Sequence, residues 1–465
     1  MAQVIEQTLV FPTTPRTTTT SLPLTFLDFA FADPIYIQRL FFYQFPYSTN
    51  EFCKTTLESL KHSLSLTLQH FFPLAGNYHS PPPPHKPFIF CTQNDSVNLT
   101  VIESSADFKH LSTFNHPKNI EDFDHLFPKL SHKTILDDND IENKKTFIFP
   151  LLALKVSVFP NHGVCIGITY CHLMDGTSCT HFMNFWSLIN RRGDGVELKP
   201  LPCFDREILR DTKRLEEVFS RDYFEYRKTW KDKSIDGSKT SEEYVKVITV
   251  FEKEEIEKMK RWLLSQWTKD DGEITAAPQF LSKFVVTCGF VWATMIKTMY
   301  RDDDDNDDET VENFFFAGDC RENLGYPIPE GYFGNCLAFH HASLKRKVMK
   351  GESGFLNAVK VIEKAVTEMK NEPFKDADEW IVKNKRMFEV GNIFSVRGSP
   401  KFNVYETDFG FGKPVKVEMV HSSRCMSLAE SRDTEDGLEV GLVFKIEEYE
   451  YFCSVIEQGL ATFTF

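Results

Sequence analysis

Three side chains able to do acid–base or nucleophilic chemistry stand close together in Tyr170-Cys171-His172-Leu173-Met174-Asp175-Gly176. The imidazole of His172, with a reference pKa of ~6.5, can take up and return a proton near neutrality. The thiol of Cys171, with a reference pKa of ~8.5, is only slightly ionised at pH 7 unless its neighbours lower that value, but its thiolate is a nucleophile as well as a base. Thr177 and Ser178 follow directly. Their hydroxyls could bind an oxyanion or carboxylate at a helix start, or simply cap that helix.

These residues need a strand on one side and a helix on the other. Gly163 to Cys171 reads as a β-strand, preceded by a β-rich run from Phe147 to Val158 and a turn at Phe159-Pro160-Asn161-His162-Gly163. Alternation puts Cys165, Gly167, Thr169 and Cys171 on one face, and would turn His172 the other way if the strand ran one residue further. A buried cysteine at a strand end is the plain structural alternative for Cys171. Thr177 to Asn190 reads as a helix with Phe182, Phe185, Trp186 and Ile189 on one side.

Elsewhere, Val4 to Pro12 predicts a strand and Thr13 to Ser21 a polar link. Asn50 to Phe71 predicts a helix packed through Leu57, Leu60, Leu64 and Leu68. Pro81 to Pro84 reads as a surface turn. Further on come a strand near Tyr244 to Phe251 and helices near Lys253 to Gln266, Leu281 to Tyr300 and Gly354 to Lys370. Strands near Val415 to Val420 and Leu438 to Ile446 close the chain. The acidic run Arg301 to Glu309 reads as a solvated loop, since nothing spaces its carboxylates as a calcium loop does. No metal site is expected. Residues 1–204 are expected to form one domain and 246–465 a second, joined by a charged crossover over 205–245.

With 465 residues, 42% of them hydrophobic and 44 of them Phe, the chain can build large aromatic cores. A net charge of −14 argues against a nucleic-acid partner but leaves room for local basic patches. The eleven cysteines include no C-x-x-C pair and accompany no secretory signal, so reduced thiols in a cytoplasmic protein are expected. No apolar run is long enough to span a membrane.

Two further segments stand out. Asp408-Phe409-Gly410-Phe411-Gly412-Lys413-Pro414 alternates glycine with aromatics. It reads as an ordered turn in which Asp408 is a structural anchor and Gly410 and Gly412 supply unusual backbone geometry. Tyr332-Phe333-Gly334-Asn335-Cys336, taken alone, reads as a strand with a turn before it.

Taken with Arg39-Leu-Phe-Phe-Tyr43, Leu60 to Asn77, Phe284 to Trp292 and Ser399 to Pro414, these segments resemble the BAHD acyltransferases of plant specialised metabolism over nearly the whole chain. Tyr332 to Cys336 is similar to a signature of the anthocyanin and flavonoid branch. The resemblance implies an α/β fold of two chloramphenicol-acetyltransferase-like domains with a tunnel between them. It also implies acyl transfer, with malonyl or another aliphatic acyl group expected, from acyl-CoA to a small-molecule alcohol or amine. Acyl-CoA, malonyl-CoA foremost, would be a cosubstrate with no bound cofactor, and the protein a monomer. An ion pair of Asp175 with Arg321 carries over as structural. Ser282, Lys283, Ser399 and Lys401 lie in stretches that border the CoA mouth in the family.

Two residues depart from the family pattern. Phe411 stands where the family has tryptophan, with a modest effect expected. The family base is the histidine of His-x-x-x-Asp-Gly, and four residues before Asp175 stands Cys171, with His172 only three before. Losing a general base typically costs on the order of 10²–10⁴ in rate. Several outcomes stay open: transfer with Cys171 or a shifted His172 as base; a repurposed enzyme that eliminates or cyclises an already acylated substrate without CoA; a covalent acyl-thioester on Cys171; or a non-catalytic binder of metabolites or of a related enzyme.

Overall fold

The computed structural model describes all residues except 1, 15–18, 33–34, 115, 132, 137–144, 194, 229–243, 268–276, 302–308, 420 and 464–465. Most of the acidic run, part of the polar link and much of the crossover therefore lie outside the described residues.

Strand Gly163–Cys171 is buried along its whole length. It lies inside a six-stranded mixed sheet, between Leu152–Phe159 and Tyr36–Gln44 and antiparallel to both. Its two faces feed different cores. Val164, Ile166, Ile168 and Tyr170 pack with the leucine stripe of helix Leu57–His70 and with Phe182, Phe185 and Trp186 of helix Gly176–Arg192. Cys165 packs on the other face with Phe123 and Leu126. A strand covered on both sides carries an almost unbroken apolar run, which is why it was legible.

The expected helix from Asn50 to Phe71 is two helices, Thr49–Thr55 and Leu57–His70. The break falls at consecutive threonines, where Thr55 Oγ1 donates back to the Glu51 carbonyl at 2.7 Å. The β-rich run from Phe147 divides at Pro150. Lys145–Pro150 belongs to a small five-stranded sheet and Leu152–Phe159 to the large one. Proline has no N–H to continue a ladder. The chain closes on a helix, Ile446–Ala461, and not on a strand. Tyr332 to Cys336 makes only one bridge, Tyr332 to Cys203, and is otherwise irregular.

The second large sheet has seven strands and surrounds the apolar helix Lys283–Met299 with its own core. The two large sheets exchange strands. Lys416–Met419, late in the chain, pairs with Tyr36–Gln44 in the first sheet. Lys118–Asn119, early in the chain, pairs with Tyr244–Phe251 in the second.

A buried charge cluster locks this exchange. Lys246 of the second sheet lies 2.6 Å from Glu418 of the first, and Lys416 lies 2.8 Å from the other oxygen of the same carboxylate. Burial alone would raise the Glu418 pKa, but the two ammonium groups outweigh it and hold the carboxyl down to about 2. Removing the anion would strand two buried cations. Glu418→Ala should therefore lower the unfolding free energy by about 3–5 kcal/mol, read as a reduced urea midpoint.

Candidate active site between the two halves

Strand Gly163–Cys171 ends in a tight turn. Cys171 N–H donates to Leu151 O and His172 N–H to Ile35 O, each at 2.9 Å, and Leu173 N–H closes back on Cys171 O at 2.7 Å. The consequence is a division of labour between neighbours. Cys171 is 2% exposed and belongs to an apolar cluster with Leu151, Leu173 and Cys336. His172 lines a cavity of about 590 Å³ between the two halves, and Cys171 is not among the residues that line it. Counting back from Asp175 gives Cys171 the family's base position; the backbone puts the His172 ring in the cavity instead.

The imidazole is held on two sides. Its ring stacks on Phe31, with centroids 4.0 Å apart and planes within 2°. Its Nδ1 lies 3.2 Å from Asn335 Oδ1. Asn335 in turn donates its Nδ2 to His172 O at 2.8 Å and to Asp28 Oδ1 at 3.0 Å. The other Asp28 oxygen accepts from Thr25 N and Oγ1, both at 2.9 Å. Because Asp28 and a carbonyl both need a donor, the amide is oriented with Oδ1 toward the ring. That assigns the proton of a neutral His172 to Nδ1 and leaves the Nε2 lone pair free. Burial pushes the His172 pKa down to about 4. A hydrogen bond to its own backbone carbonyl and the charge of Asp175 oppose this less strongly, the Arg397 guanidinium adds to it, and the Asn335 bond opposes it least.

Asp175 is 1% exposed and caps helix Gly176–Arg192 by accepting from Ser178 N at 2.9 Å. Its second oxygen accepts from Cys336 N at 3.2 Å and pairs with Arg321 Nη2 at 2.8 Å. At Gly176 a Cβ would come within 2.3 Å of the Phe402 ring, so the helix start and that aromatic touch only because residue 176 has no side chain.

Thr177 and Ser178 are not among the cavity-lining residues. Ser178 Oγ is taken up by Gly334 N at 3.1 Å and Gly334 O at 3.3 Å, and Thr177 Oγ1 reaches Asp319 at 3.5 Å. Ser178 is thus part of the strut that holds the segment before Asn335, not a group facing the cavity.

Asp408 accepts from Gly410 N at 2.8 Å and Gly412 N at 3.0 Å, and Arg191 binds its other oxygen at 2.9 Å. Both glycines have positive φ, 98° and 87°. Phe409 meets Trp186 edge-on at 4.7 Å, and Phe411 meets Tyr43 and Phe45 at 5.7 and 5.6 Å. The loop fastens the late chain to the first sheet, away from the cavity. Ser282 caps helix Lys283–Met299, Lys283 faces Asp436 at 3.5 Å, and Ser399 accepts from Lys401 N at 3.2 Å. None of these four lines the cavity, although Phe402, beside Lys401, does.

The cavity walls are largely aromatic: Phe29, Phe31, Tyr223, Phe315, Phe339, Phe388 and Phe402. Sequence reasoning missed Asn335 as the holder of the imidazole, Asp28 behind it, and Arg397 within reach of its electric field. Asn335 lies inside the Tyr332 to Cys336 motif, but nothing in a motif says which side chain faces which.

The model of the Transferase family matches residues 1–458. The malonyl-coenzyme A:anthocyanin 3-O-glucoside-6''-O-malonyltransferase of Dahlia pinnata is 31% identical, over 98% of this chain and 97% of its own. The chain belongs to the BAHD acyltransferase family. Coumaroyl-CoA:anthocyanidin 3-O-glucoside-6''-O-coumaroyltransferase 1 of Arabidopsis thaliana is 32% identical, over 99% and 98% of the two chains. Among solved structures, vinorine synthase superposes with a TM-score of 0.69 at 19% identity, covering 98% of each chain, which places this BAHD chain in the same two-domain α/β fold.

The depressed His172 makes stability depend on pH with a definite sign. An unfolded ring takes its proton near ~6.5, whereas the folded ring does not until about 4. Between these values the unfolded state binds more protons, so the contribution is complete above the upper value and is lost as pH falls through the window. His172→Gln should make the fall in urea midpoint between these two pH values shallower than in the parent protein.

Proposed function

We propose that this protein transfers an acyl group from acyl-CoA to a hydroxyl of a small-molecule glycoside, with His172 as the general base. The observation that carries this reading is the His172 imidazole in the cavity with its Nδ1 on Asn335 Oδ1, a placement that leaves Nε2 to face a substrate. The relatives' names supply the substrate classes, malonyl- or coumaroyl-CoA as donor and an anthocyanin or anthocyanidin glucoside as acceptor.

In this mechanism Nε2 takes the proton of the acceptor hydroxyl as its oxygen attacks the thioester carbonyl. The tetrahedral intermediate collapses with loss of the CoA thiolate, and the imidazolium returns the proton to sulfur. A ring held at about 4 is a reluctant base but, once protonated, a ready acid for that last step. Asp175 takes no part in proton transfer; its oxygens are committed to Arg321, Ser178 N and Cys336 N. The elimination reading started from Cys171 at the base position; the imidazole of His172 in the cavity supports acyl transfer over it.

The test is incubation of purified protein with malonyl-CoA or coumaroyl-CoA and a panel of phenolic glucosides, following free CoA and product mass. His172→Ala should lower kcat/KM on the order of 10²–10⁴-fold, and Cys171→Ala less than about tenfold, as expected of a buried side chain that does not line the cavity. Cys171→His should give no gain. Loss of activity in Cys171→Ala with survival in His172→Ala overturns the assignment. The kcat/KM of the parent protein should stay flat as pH falls through ~6.5 and drop only near about 4.

A further inference from the structure

The cavity carries an excess of positive charge on a chain whose net charge is −14. Its charged lining residues are Arg39, Arg397, Lys385 and Glu389. Lys385 and Glu389 answer one another at 3.9 Å. Neither guanidinium has such an answer: among the described residues no carboxylate lies within 4.0 Å of Arg39 or Arg397. Arg39 is only 2% exposed, its Nη1 has no hydrogen-bond partner, and its guanidinium lies 5.8 Å from the centre of the Phe402 ring. Burying a guanidinium without a paired carboxylate is costly, and a cavity that does so at Arg39 and sets the half-buried Arg397 on the same wall is built to receive an anion. Arg397 ends strand Ile393–Arg397 and is close enough to His172 to weigh on its titration.

We infer that Arg397, with Arg39 behind it, is a specificity-determining residue that holds a free carboxylate on the acyl group being transferred. The position decides the source. The phosphates of CoA lie a whole pantetheine arm away from the thioester, whereas the distal carboxylate of a short dicarboxylic acyl group lies next to the carbonyl that must sit beside His172. An aromatic acyl group offers these cations no anion. The site therefore takes a short dicarboxylic monothioester in preference to a neutral aliphatic or an aromatic one. This rests on the acyl-transfer reading above.

The test compares malonyl-CoA with acetyl-CoA, by calorimetric binding and by kcat/KM, in the parent protein, Arg397→Gln and Arg397→Lys. Loss of one charge-assisted contact should cut the malonyl-over-acetyl preference of Arg397→Gln by about ten- to a hundredfold in both readouts, with partial recovery in Arg397→Lys. An unchanged ratio overturns the inference, as does a parent protein with no malonyl preference, whether or not acetyl transfer occurs. A drop confined to carboxylated acceptors, equal for both donors, also overturns it. If nothing turns over but malonyl-CoA binding still depends on Arg397, only the catalytic reading fails.

Discussion

One buried carboxylate closes the seam on which the site depends. Asp175 sits at 1% exposure, where an unpaired charge would not be tolerated, and it gathers three partners from two halves of the chain. Ser178 N–H ties it to the start of its own helix, and Arg321 and Cys336 N–H tie it to a segment far along the sequence. Each bond has a consequence one residue away. Fixing Cys336 fixes Asn335, and fixing Asn335 fixes the His172 ring and its tautomer. The chemistry of the cavity is thus set by an ion pair that does not itself face the cavity.

The same logic of committed charges separates structure from function across the molecule. Glu418 with its two lysines, Asp408 with Arg191 and two glycine amides, and Arg346 with Glu312 at 2.8 Å are all paired and all fasten strands or loops to one another. Against this background the two guanidinium groups of the cavity stand out, because no carboxylate among the described residues forms an ion pair with either. A neutral imidazole beside a cation, in walls that are mostly aromatic, is an environment with few ways to solvate charge. Whatever anion enters gains most of what water would have given it from those side chains.

The main elements were legible because their patterns are strong. The leucine stripe at 57, 60, 64 and 68 and the unbroken apolar strand Gly163–Cys171 can only be buried faces, and both are. The strand exchange was not legible, since Lys416–Met419 pairs with residues more than three hundred positions earlier and short strands carry little pattern of their own. The closing helix Ile446–Ala461 was missed for a different reason. Its inner side rests on few residues, with only Phe452 and Ile456 buried. Within the site, Asn335 and Asp28 lie 163 and 307 positions from the residues they hold, His172 and Asn335, and no local rule joins them.

Cys171, and not His172, stands four residues before Asp175, and the structure shows what that spacing does to each side chain. A count of four residues would matter if the carboxylate had to touch the imidazole, but no hydrogen bond joins them; Asp175 is occupied by Arg321 and by backbone amides. What the structure shows is a carboxylate at the N-cap of helix Gly176–Arg192 and a ring in the cavity. A strand that ends one residue earlier would leave the ring on the wrong face, since side chains alternate. Here the turn closed by Leu173 N–H on Cys171 O falls on His172 itself, just past the end of strand Gly163–Cys171, and delivers that side chain to the cavity. The shorter spacing is absorbed by the backbone, and Cys171, one position back, sits in the apolar cluster with Leu151, Leu173 and Cys336.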